Sequence, residues 1–301
     1  MHPIEKTLLY VEEGLDGKLD LASIAGAVHY SRYHLSHLFT ETFGMTLRGY
    51  ALRRQMTEAA RLLAFSEKPV MEIALCSGYE SQQAFTAAFR ALYKLPPAAY
   101  RARREFYPLQ LPLAYWPKED GLQIEEIVPA DKRDIPAWMG LVRLSADGFP
   151  CLNEAEHLDA LRRSVRQGRA LILQRGDAAL GAMSFSDTGQ IDFLALHPQY
   201  RNTALPALFL AKLREMLEPG QPITITTYRR GDRADTGHRT ALRRLGFVPG
   251  ALAVEFGYPT QCFTLAPGIG KPPENERGFS WLPRLSEGET TPVSDTREAQ
   301  P

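Results

Sequence analysis

Residues 78–103 read GYESQQAFTAAFRALYKLPPAAYRAR. Gly-Tyr-Glu turns the chain, and a helix over 81–93 follows with Phe85 and Phe89 on its inward face. The stretch has an echo upstream. Ile24, Ala25, His29 and Tyr30 correspond to Ile73, Ala74, Gly78 and Tyr79 at an offset of 49. After one inserted residue, Phe39, Phe43, Tyr50 and Arg53 correspond to Phe89, Tyr93, Tyr100 and Arg103 at an offset of 50. A helical repeat of this length implies two copies of one supersecondary unit.

Each copy fits a helix-turn-helix. In the first, Asp20 is a good N-cap for a short helix that carries Leu21, Ile24, Ala25 and Val28 inward. The turn is HYS. Ser31 caps a second helix with Leu35, Leu38 and Phe39 toward the core. In the second copy a helix over 69–77 begins with Pro69, suited to a first turn. Small Ala25 and Ala74 let the paired helices cross closely. The outward stripes are Arg32, Tyr33, Ser36 and His37 in the first copy, and Gln82, Gln83, Thr86 and Ala87, headed by Ser81, in the second. Gln pairs bidentately with adenine, and Ser, Thr and Arg also read base edges in the major groove. One such stripe alone fits a solvated helix face equally well. Two copies, joined by a long helix over 46–63, favour DNA reading.

The quoted stretch resembles the signature of the AraC/XylS family of transcription activators, nearest its MarA/Rob branch. The resemblance covers about residues 4–104. It implies a seven-helix domain with two helix-turn-helix units, whose recognition helices enter successive major-groove segments about one helical turn apart. Carried over by residue, the base readers are Tyr33, Ser36 and His37, then Gln82, Gln83 and Thr86, with Arg32 and Ser81 at the heads of their helices. Three positions depart from the family pattern. His29 stands where glycine is usual, and histidine tolerates positive φ better than most residues. Ala87 and His37 stand where relatives carry arginine. Readout by the second helix is therefore expected to be weaker, and contact at position 37 to depend on pH, since histidine changes charge near neutrality.

Outward from the repeat, the chain divides into a double helix-turn-helix domain (1–106), a Pro-rich extended linker (107–121), a second domain (122–268) and a Pro-, Glu- and Ser/Thr-rich tail (269–301) expected to be disordered. In the second domain, β-rich runs LQIEEIV, ALILQR, ALGAMSF, QIDFLAL, PITITTY and AVEFGYPTQCFTL alternate with helical segments near 131–145 and at 154–167, 205–217 and 236–245. The fold class is thus an all-α double helix-turn-helix domain followed by an α/β (α+β) domain with a mixed sheet.

The order of these elements, with HPQYRNTALPALFL (197–210) after the fourth strand and TALRRLGF (240–247) as the last helix, resembles the GNAT acyltransferase fold. That resemblance implies a coenzyme A loop, here Arg201-Asn202-Thr203-Ala204-Leu205-Pro206. It also makes Leu194, Leu196 and Arg201, Asn202, Thr203, Ala204 and Leu205 the cofactor contacts, with acetyl-CoA or another acyl-CoA as the ligand. The loop is eroded. A phosphate cradle needs bare backbone N–H groups at a helix N-terminus. Ala204 adds a Cβ there, and Pro206 removes a donor. The tyrosine that serves the family as general acid is replaced by Leu242. Tyr228, His238 and Asp192 are the available substitutes, so no catalytic residue is assigned. Trp138, Phe149, Phe193 and Tyr228 are candidate pocket aromatics, or ordinary core.

Bulk properties set the frame. The chain has 301 residues, 44% hydrophobic, with zero formal net charge. Residues 1–107 carry 13 Lys and Arg against 11 Asp and Glu, too small an excess to argue from. Cys76, Cys151 and Cys262 have no metal or disulfide spacing, which points to a reducing cytoplasm. No apolar run approaches a membrane span, and MHPIEKTLLYVEEG reads as an amphipathic helix and not a signal peptide. The expectation is a sequence-specific transcription regulator whose GNAT-like domain is a ligand-sensing or structural module. The alternative is a regulator that is also an active N-acetyltransferase. Its partners are double-stranded DNA, RNA polymerase and a small-molecule effector, with no metal and no membrane. Two DNA-reading units in one chain leave monomer or dimer open.

Overall fold

The computed structural model describes residues 1–116, 121–145, 152–255 and 257–267. The expected disordered tail, Phe149 and Cys151 lie outside them. The helical domain comprises α1 (Pro3–Glu13), α2 (Leu21–Ala27), α3 (Arg32–Phe43), α4 (Leu47–Phe65), α5 (Val70–Cys76), α6 (Gln82–Tyr93) and α7 (Pro97–Arg103). Local chemistry sets the boundaries. Asp20 accepts from the N–H groups of Ala22 and Ser23, and Ser31 and Ser81 cap α3 and α6 through His34 N–H and Ala84 N–H. His29 has φ 59°, as the turn requires. Both recognition helices end in a left-handed residue, Gly44 (φ 72°) and Lys94 (φ 62°).

α4 serves two cores. Its Tyr50 and Ala51 join Ile24, Leu35, Phe39 and Phe43, while Met56, Ala60 and Leu63 join Ile73, Phe85, Phe89 and Tyr93. Phe39, Phe43, Phe85 and Phe89 have no exposed surface. Each such burial stabilises the fold by about 1.5–3 kcal/mol.

The extended segment after α7 packs along the helical domain as a strap. Leu109 and Leu113 enter the helical cores, the N–H groups of Leu109 and Gln110 both donate to Thr57 Oγ1 at 3.1 Å, and Leu113 N–H donates to Tyr50 Oη. Proline content predicts an extended backbone, and the apolar residues between the prolines determine where it lies.

The second domain contains β1 (Val128–Pro129), α8 (Ile135–Leu144), α9 (Glu154–Arg166), β2 (Ala170–Arg175), β3 (Ala178–Phe185), β4 (Gln190–Leu196), α10 (Leu205–Met216), β5 (Ile223–Tyr228), α11 (His238–Arg244), β6 (Val248–Glu255) and β7 (Tyr258–Leu265). One expectation fails. LQIEEIV is mostly a 3₁₀ turn at Ile124–Glu126, because Glu126 reaches back to the Gln123 N–H and closes the chain locally. The mixed seven-stranded sheet has the order β1-β2-β3-β4-β5-β7-β6. α8 and α9 cover one face through Trp138, Val142 and Leu161, and α10 covers the other through Phe209, Leu210 and Leu213.

The two domains pack directly. Tyr228, Ala234 and Tyr258 of the second domain belong to the core built on α4, α5 and α6. The buried Arg53 guanidinium donates to Ala234 O, Lys94 pairs with Asp232 at 2.6 Å, and Asn202 Nδ2 donates to Thr40 O at 2.9 Å.

Candidate DNA-reading face and interdomain cleft

The N-terminal halves of both recognition helices point outward. On α3, Arg32 is exposed, Tyr33 is 72% exposed, and Ser36 and His37 are half-buried. Tyr33 and His37 stack at 6.2 Å, and His37 Nδ1 lies 3.2 Å from Glu41. On α6, Gln82, Gln83 and Ala87 are exposed and Thr86 is half-buried. Ser81 is different: its hydroxyl accepts the Ala84 N–H at 3.2 Å, so its first role is to cap α6. Arg90 was not foreseen. It is exposed and shares a shallow concavity with Met71, Gln82, Gln83, Thr86 and Ala87. Helical periodicity marks it, since it lies four residues beyond Thr86.

The second site begins where β4 and β5 part. They pair in parallel only at Gln190–Thr224 and Ile191–Ile225. Gly189 makes the join possible: a Cβ there would meet Pro222 O at 2.3 Å. Beyond it, β4 stays paired with β3 as far as Leu196, and β5 with β7 as far as Tyr228. Outer neighbours therefore hold two diverging inner edges. The resulting cavity has a volume of about 620 Å³. Its far wall belongs to the helical domain: Thr40, Glu41, Gly44, Met45 and Thr46, the end of α3 and the start of α4.

The foreseen cofactor residues separate here. Leu194, Leu196, Arg201 and Asn202 line the cavity, whereas Thr203, Ala204 and Leu205 are not among its lining residues. Leu205 is fully buried, and the Thr203 hydroxyl donates to Tyr200 O and accepts the Leu205 N–H. The loop fits a pyrophosphate poorly. Thr203 N–H already donates to Tyr200 O, Leu205 N–H to Thr203, and Arg201 N–H to Pro198 O at a long 3.5 Å, while Pro206 has no N–H. Leu242 faces the cavity and carries no proton. Asp192, Tyr228 and His238 also line it. Of the candidate aromatics, Phe193 and Tyr228 reach the cavity, while Trp138 is core, stacked on Phe193 with its Nε1 donating to His157 at 3.2 Å.

Burial raises the Asp192 pKa. Burial lowers that of His197, which opens the loop, to about 4, with Arg201 adding to the effect. Burial likewise lowers His157 to about 4, against the pull of Glu154. Among the described residues no group of three or more His, Cys, Asp or Glu could hold a metal, and no helix is long and apolar enough to cross a membrane.

Residues 24–103 match a family described as a helix-turn-helix domain. The Tn10 TetD protein of Escherichia coli is 36% identical over 101 residues, covering 34% of this chain and 73% of that protein. The multiple antibiotic resistance protein MarA of Salmonella typhimurium is 35% identical over 98 residues, covering 33% of this chain and 77% of that protein. A GNAT-family acetyltransferase from Bacillus cereus is similar in structure, with a TM-score of 0.36 and 16% identity over 47% of this chain and 96% of that one.

Proposed function

The chain belongs to the AraC-type helix-turn-helix family of DNA-binding transcription regulators, and from that premise we propose that its α/β domain is a ligand-sensing module and not a working acyltransferase. The observation that carries this reading is the shared wall: one cavity is lined both by the parted strands β4 and β5 and by the last turn of the first recognition helix. A molecule held there contacts the DNA-reading element itself. Binding energy that differs between two arrangements of the domains becomes a shift in DNA affinity.

Three features speak against acyl transfer. The amides of Arg201, Thr203 and Leu205 are spent within the loop, Leu242 stands where the resemblance places the general acid, and the Arg201–Asn202 corner packs on α3. The second reading, a regulator that also acetylates an amine, has one observation in its favour: Asp192, Tyr228 and His238 share the cavity.

The test is calorimetry of the full chain with acetyl-CoA and desulfo-CoA, beside a melting screen of small metabolites. We expect no micromolar binding of either coenzyme and no acetyl transfer. At least one screened molecule is expected to raise the melting temperature, and Thr227→Trp, which fills the cavity, is expected to abolish that rise. Turnover of acetyl-CoA would establish the second reading. An empty screen would reduce the domain to a scaffold.

A further inference from the structure

The repeat makes positions comparable across the two DNA-reading units. At the offset of 50, Thr40 of α3 corresponds to Arg90 of α6, and Gly44 to Lys94. The α/β domain holds both helices at these equivalent ends with different chemistry. At α3 the grip includes a neutral amide-to-carbonyl hydrogen bond, beside Arg201. Asn202 Nδ2 donates to Thr40 O at 2.9 Å, and a Cβ on Gly44 would lie 3.1 Å from Arg201 Cβ. At α6 it is ionic. Lys94 Nζ lies 2.6 Å from Asp232 Oδ1, donates to Ala91 O at 2.9 Å, and sits 5.5 and 5.8 Å from the ring centres of Tyr258 and Tyr228.

The cavity touches these grips unequally. Thr40, Gly44, Arg201 and Asn202 line it; at the second grip Tyr228 and Tyr258 line it, but Lys94, Asp232 and α6 itself do not. The reading faces are also unequal. Thr40 continues the α3 stripe by one turn and is half-buried against the α/β domain, while Glu41 beside it stays exposed. On α6 the equivalent Arg90 is exposed. A major groove about 12 Å wide admits a helix but not a helix with a domain on its groove-facing side.

We propose that the α/β domain grips each recognition helix separately, and that occupancy of the cavity is transmitted chiefly through the first grip, the one the cavity touches directly. A filled cavity bridges α3 to β4 and β5, strengthens that grip and weakens binding at the DNA half-site read by α3. The half-site read by α6 changes less. The proposal rests on the reading of the cavity as an effector site, but its central asymmetry is testable without any effector.

The experiment selects a duplex from a random pool with the full chain. It then measures affinity and half-site-resolved footprints, with His37→Ala identifying the half-site of α3. Asn202→Ala removes one neutral hydrogen bond, so it is expected to raise affinity through the α3 half-site by about fivefold or less, the equilibrium equivalent of about 1 kcal/mol. Thr227→Trp is expected to lower affinity at that half-site severalfold. Asp232→Asn is expected to change the α6 half-site only. Asn202→Ser guards against a folding artefact, since it must move the footprint in the same direction as Asn202→Ala at an unchanged melting temperature. Equal changes at both half-sites, no change, or a weaker α3 half-site in Asn202→Ala would each overturn the proposal. If the footprints behave as expected and the metabolite screen is empty, the two grips stand and the effector reading alone fails.

Discussion

Single positions carry much of the account. Gly44 and Lys94 hold the same left-handed conformation at equivalent helix ends. Glycine adopts it freely; a side chain there costs about 1–2 kcal/mol. Lys94 meets that cost because its ammonium reaches Asp232. Gly44→Ala meets it with no such return and also presses on Arg201. Chemical denaturation is expected to show a loss of about 1–2 kcal/mol. A loss below about 0.5 kcal/mol would mean that the end of α3 is free to relax away from the second domain. On the DNA side, Ala87→Arg adds a base-reading guanidinium to an exposed position. It is expected to tighten specific binding by about 1–3 kcal/mol over a scrambled duplex. Equal tightening on both duplexes would assign that arginine to phosphate contact instead.

At the scale of elements, the helices were largely legible because their signals are local. Asp20, Ser31 and Ser81 cap where capping residues should, and apolar spacing marks each inward face. QIDFLAL spans β4 as read. The first β-run was misread, and the course of the linker was not legible, for one physical reason: an extended or β-prone run does not say which partner it will meet. Leu109 meets the α4 core, and Ile124 meets no strand. The α/β elements also carry a pH signature. His157, half-buried, and His197, buried, are neutral, with pKa values near 4 in the fold and about 6.5 when unfolded. Between those values the unfolded chain binds more protons, so acid favours unfolding. Each histidine makes stability fall by up to about 1.4 kcal/mol per pH unit as pH drops from 6.5 toward 4. Their contribution is complete above that window. Trp138, which donates to His157, reports the loss by fluorescence. His157→Gln is expected to flatten the fall, and an unchanged slope would show that His157 is not held neutral.

Across the whole molecule, the least legible feature was how the domains meet. Arg53 and Arg103 are equivalent in the repeat, yet Arg53 is buried against Ala234 while Arg103 is exposed. Arg53 lies inside the long α4 and Arg103 at the last position of α7, but neither position names the partner that Arg53 meets. The difference arises from a loop almost two hundred residues away, and local periodicity carries no such information. The contacts of residues 201–206 were equally out of reach. The loop's sequence showed what it lacked, and the fold adds that Asn202 binds the end of α3 and Arg201 packs beside it. The central claim is that the cleft and the DNA-reading face form one coupled unit. Hydrogen exchange of the full chain, with and without a selected duplex, tests it most directly. The account predicts that DNA changes protection in β4 and β5 around the cleft, at residues 192–196 and 226–228, as well as along α3 and α6. Changes confined to the helical domain would contradict it.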